Sequence, residues 1–165
     1  MALSRQHRTF LIVEEVVGSS IVNFSINGAI AWYLFRSART VPLWGWSSIA
    51  ADTLGTAFIL PVLTALFAGF LVRRQVKRGK LAPISDADRR PAWARRSSFV
   101  RGALLGLAAM VLAAAPVVLV FALVGPASLS PWGFIWFKAS FAAGLGALVT
   151  PLLGWWALLD ASCGL

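Results

Sequence analysis

The sequence predicts an all-α membrane protein of four transmembrane helices, with signs of a tandem two-span repeat. Three observations carry that reading. Four apolar runs, 10–35, 46–72, 99–124 and 132–159, each exceed the roughly 20 residues needed to cross a hydrocarbon core. At 59% hydrophobic and 13% charged residues, the 165-residue chain is too apolar for a soluble domain, where charged residues approach about a quarter. Ten of its fifteen basic residues crowd into 73–101, the cation clustering that marks the cytoplasmic side of membrane proteins. The chain reads as one domain, 1–165.

Span one, 10–35, follows Arg5, His7 and Arg8 and ends at Arg36 and Arg39. Its start imitates a signal peptide, and Ala29-Ile30-Ala31 resembles a cleavage site. The run is too long for that, and Glu14, Glu15, Asn23 and Asn27 interrupt what would be a signal's apolar core of about 7–15 residues. Within it Glu15, Ser19, Asn23 and Asn27 recur every fourth residue, on one slowly rotating helix face that should point inward. Such groups either glue helices together or line a path.

Span two, 46–72, opens after Pro42-Leu43-Trp44-Gly45 and carries Asp52 about six residues inside its outer boundary. Span four, 132–159, has Lys138 at a matching distance past Trp132. At 1.5 Å per residue both lie on the order of 9 Å deep, so an Asp52–Lys138 ion pair is expected, with Asn27 near the same level.

Between them, the connector 73–98 and the residues next to it hold Arg73, Arg74, Lys77, Arg78, Lys80, Arg89, Arg90, Arg95, Arg96 and Arg101 against Asp86 and Asp88. Pro83 and Pro91 break it, and Ser85 with Asp88 signals a short helical turn. Trp93 among Arg89, Arg90, Arg95 and Arg96 has the makeup of an interfacial anchor on anionic headgroups; otherwise the loop serves only to orient the chain. The net charge of +9 therefore points to lipid, not to nucleic acid. Counting cations in the short loops puts both termini and this connector in the cytoplasm, and loops one and three outside.

Span three, 99–124, presents Gly102 and Gly106, and span four repeats Ala142, Gly146, Thr150 and Gly154 every fourth residue. Both patterns favour close helix approach. Pro61, Pro116 and Pro151 interrupt spans two, three and four and should bend them. Ser130-Pro131-Trp132-Gly133 answers Pro42-Leu43-Trp44-Gly45, and Thr150-Pro151-Leu152-Leu153 answers Leu60-Pro61-Val62-Leu63. Two-span halves of this kind share one orientation, so the repeat would be parallel, about an axis along the membrane normal.

The stretch Glu15-Val16-Val17-Gly18-Ser19-Ser20-Ile21-Val22-Asn23-Phe24-Ser25 resembles the first helix of the small multidrug resistance transporters. That resemblance covers about eleven residues, and it implies that Glu15 is a carboxylate binding proton and cationic substrate in turn. The large basic connector, Asp52, Lys138 and Trp155-Trp156 depart from that family's pattern. The layout as a whole is similar to small bacterial permease-like membrane proteins, which implies a bacterial inner (plasma) membrane.

The one histidine, His7, precedes the first span, and Cys163 is the one cysteine, so no imidazole-held redox cofactor, metal site or disulfide is expected. No catalytic constellation of nucleophile and base is present, so an enzyme is not expected. Two classes remain. One is a transporter or permease-like module, oligomeric or with a membrane partner, whose path is lined by Glu15, Ser19, Asn23, Asn27, Asp52 and Lys138. The other is a non-catalytic scaffold or accessory subunit that binds partner proteins and anionic lipid.

Overall fold

A computed structural model describes residues 10–81 and 96–162. The first helix, α1, is π-wound over Phe10–Gly18 and α-helical over Ser19–Phe35. The wide turns end where hydroxyls and amides bond back into the helix. Ser19 Oγ donates to Glu15 O, Ser20 Oγ to Val16 O at 2.7 Å, Asn23 Nδ2 to Ser19 O at 2.9 Å, and Asn27 Nδ2 to Asn23 O at 3.0 Å. Back-bonds of this type satisfy polar groups locally and bend helices.

The second helix, α2, is Ile49–Lys77. Ser48 caps it by accepting from Ala51 N at 3.1 Å, and its own hydroxyl donates to Gly45 O at 2.7 Å. At the other end Gly79 takes φ of +68°, Gly79 N donates to Val76 O and Lys80 N to Gln75 O, closing a Schellman motif. Arg74 and Lys77 in the last turn complement the carbonyl end of the helix dipole. The helix therefore runs five residues past the expected end at 72. Arg73, Arg74 and Lys77 are helical instead of belonging to the connector.

The third helix, α3, comprises Ser98–Ala109, a π-wound turn Met110–Ala114, and Ala115–Val124. The turn widens just before Pro116, whose missing N–H and bulky ring cannot fit a regular α-turn. Arg101, counted with the basic connector in the sequence, sits in the first turn of α3. The fourth helix, α4, is Pro131–Ser162; Ser130 caps it, accepting from Gly133 N at 3.1 Å, and Pro131 occupies the first position, where no N–H is needed.

Of the four expected spans, three are long and apolar enough to cross a membrane: Ile49–Lys77, Ser98–Val124 and Pro131–Ser162. The chain is thus a helical, membrane-type protein. The α-wound part of α1 has only 17 residues, and Asn23 and Asn27 lower its apolarity, which sets it apart from the others.

Two short strands, β1 (Val41–Pro42) and β2 (Ser128–Leu129), pair antiparallel and hold loops one and three at one end of the bundle. Leu43 N extends the ladder by donating to Ala127 O at 2.9 Å. Val41 faces Leu129, 88 positions later, the same offset that separates Trp44-Gly45 from Trp132-Gly133. α2 packs on α4 at the centre, α1 lies on α4, α3 lies on α2, and few contacts join α1 to α2 or α3 to α4.

Glycine sets the α2–α3 distance. A Cβ on Gly106 would stand 2.7 Å from Phe58 O, and one on Gly102 would stand 2.9 Å from Val62 Cα. The outward face of α3 stays apolar and uncovered, with Leu112 77% and Val111 67% exposed. Only lipid or another apolar surface solvates such a face well.

Candidate functional site: a polar cavity between the first and second helices

Because α1 and α2 both pack on α4 but hardly on each other, a cavity of about 800 Å3 opens between them, floored by α4. Glu15, Ser19, Asn23 and Asn27 line it from α1, Asp52 from α2 and Lys138 from α4. All six residues read from the sequence as path residues therefore border one space.

The α1 wall is held by an interdigitation that neither helix reveals alone. A Cβ on Gly146 would stand 2.6 Å from Asn23 Nδ2, and one on Gly154 would stand 2.9 Å from Glu15 Cδ. The two stripes, each repeating every fourth residue, run antiparallel and in register, which places Ser19 opposite Thr150 and Asn27 opposite Ala142. Each small residue on α4 makes room for a polar one on α1. Close approach of this kind is what small-residue faces allow between helices in lipid.

At the end near the strand pair, Lys138 Nζ donates to Asp52 Oδ1. Lys138 is 5% exposed, so its ammonium does not snorkel to the surface. The pair cancels two charges that would each be costly in a low-dielectric interior, and it ties α2 to α4. Deeper in, Thr150 is buried and its Oγ1 has no hydrogen-bond partner among the described residues. A buried hydroxyl without a partner costs about 1–3 kcal/mol, so Thr150 carries an unused hydrogen-bonding group beside the cavity.

The α2 wall is mainly apolar, with Ile59, Leu63 and Phe67 on the cavity. Thr56, Thr64 and Gln75 add polar groups that the sequence reading did not place in the path. Their signal was present, since Asp52, Thr56 and Thr64 fall at multiples of four. Among the described residues no group of three His, Cys, Asp or Glu side chains could hold a metal ion.

A second ion pair was also missed. Arg101 Nη2 donates to Asp160 Oδ2, linking α3 to α4 at the end opposite the strand pair, with the guanidinium 5.8 Å from the Trp156 ring. Of the residues expected at lipid headgroups, Arg89, Arg90, Trp93 and Arg95 lie outside the described residues. Arg96 is exposed, two residues before α3. Comparison with protein-family models, with curated proteins and with solved structures finds no match for this chain.

Proposed function

We propose that the protein is a small integral membrane transporter or permease-like module whose substrate passes through the cavity between α1 and α2. In this reading all four helices span a bacterial inner membrane, with both termini and the basic connector in the cytoplasm and the strand pair outside. Asn23, Asn27 and Thr150 offer hydrogen bonds along the path, the Asp52–Lys138 pair forms its outer end, and Glu15 carries a proton in exchange for a cation. The observation that supports it most is the convergence of polar side chains from three helices on one space of about 800 Å3. Polar residues kept inside membrane spans mark substrate and ion pathways.

The test is proton-driven uptake of a panel of organic cations into liposomes holding the purified protein. Glu15→Gln is expected to lower coupled uptake by at least about tenfold, because the amide cannot exchange a proton. Identical traces for the two proteins overturn the proton-coupled reading.

The scaffold reading rests on a different feature, the uncovered apolar face of α3 around Val111 and Leu112. It requires a stoichiometric membrane partner to copurify in mild detergent and to be lost when Leu112 is changed to a polar residue.

A further inference from the structure

A second concavity, of about 540 Å3, lies where α2 ends and α3 begins, and it shares no lining residue with the polar cavity. Four cations line it: Arg73, Arg74 and Lys77 on the last turns of α2, and Arg78 at its cap. The Schellman turn at Gly79 fixes where this basic helix end stops. Among the described residues none of the four is in an ion pair.

The N-terminus of α3 enters the same space. Ser98 lines it, and a Cβ on Gly69 of α2 would stand 3.5 Å from Ser98 Oγ, in ordinary van der Waals contact. Ser97 caps Val100 N, and no acidic residue occupies the first turn of α3 to neutralise the remaining N–H groups. Four guanidinium or ammonium groups and a helix N-terminus thus converge with no anion among the described residues to balance them. That is the chemistry that binds phosphate.

One turn further along α2 the lining becomes apolar, with Leu66 and Phe70, the latter 64% exposed. A free anion has no use for that surface. A lipid does, because its phosphate would sit on the cations while its acyl chains cover Phe70 and Leu66. We infer that this concavity is a binding site for an anionic phospholipid carrying at least two negative charges at its headgroup, held by Arg73, Arg74, Lys77, Arg78 and the N-terminus of α3.

The test uses the full chain in phosphatidylcholine nanodiscs titrated with phosphatidic acid, bound lipid being read by native mass spectrometry. Two variants each lower the protein's charge by one. Ser98→Glu puts a carboxylate inside the concavity at a helix position that favours acidic residues, so the fold is kept. Arg96→Gln removes an exposed cation outside it. Ser98→Glu is expected to weaken binding by about tenfold or more, since its charge acts on the whole cluster, and Arg96→Gln by no more than about twofold. Inorganic phosphate at matched concentration is expected not to compete. Equal weakening by the two variants would show diffuse attraction to a basic surface and overturn the site. Effective competition by inorganic phosphate would overturn its assignment to lipid.

Discussion

Lys138 is the residue whose placement says most about the site. Its stem is buried between α4 and α2 and its ammonium meets Asp52 on α2, so the charge is neutralised inside the bundle. Breaking a buried pair by removing one partner leaves an uncompensated charge, at a cost of about 3–5 kcal/mol, whereas replacing both partners with apolar side chains of similar size is near neutral. Lys138→Met is therefore expected to lower the thermal unfolding midpoint in detergent strongly, and the double variant Asp52→Leu with Lys138→Met to restore most of the loss. Additive losses in the two single variants would mean that the side chains act apart. This pair was legible in the sequence because both charges lie at equal depth below the same outer boundary. The Arg101–Asp160 pair was not, since Arg101 stood among other cations and nothing in the chain told which helix end its guanidinium would meet.

Helices in this bundle are spaced by glycine. Gly102 and Gly106 let α3 lie against the backbone of α2, and Gly146 and Gly154 let α1 lay its polar stripe on α4. The neighbour of Gly106 is backbone at Phe58, which cannot swing aside. Gly106→Ala should therefore push α3 away and cost about 1–3 kcal/mol, the usual range for overpacking. Gly144 has nothing within 4 Å of its Cβ position, and Gly144→Ala should leave the unfolding midpoint unchanged or raise it slightly. Equal destabilisation by the two would refute glycine-set spacing. Both stripes could be seen in the sequence as fourfold repeats, but their mating could not, because periodicity gives a face and not its partner. Nor could the π-wound turns of α1 be foreseen, as they depend on which carbonyls Ser19 and Ser20 capture.

At the scale of the molecule, the apolar runs located all four helices to within a few residues at most ends. The packing order was hidden. Consecutive helices usually pair, as α2 and α3 do, yet α1 lies on α4 instead of on α2, and the cavity exists because α1 and α2 stay apart. Pairing of β1 with β2 puts loops one and three at one end, with Trp46 fully exposed there, and leaves exposed Lys80 at the other. In sealed vesicles of a Cys163→Ser background, Trp46→Cys and Lys80→Cys should be labelled from opposite sides by an impermeant thiol reagent. Labelling of both from one side would contradict the membrane-spanning arrangement.

The central claim is that a bilayer surrounds the bundle while one cavity inside it holds water and polar side chains. The same cysteine-free background tests it with Asn27→Cys and Thr56→Cys, on the two walls of the cavity, against Leu112→Cys on the uncovered face of α3. In liposomes an impermeant maleimide should modify the two cavity positions and spare the far more exposed Leu112→Cys. Modification of Leu112→Cys at the same rate, or none at either cavity position, would contradict the account.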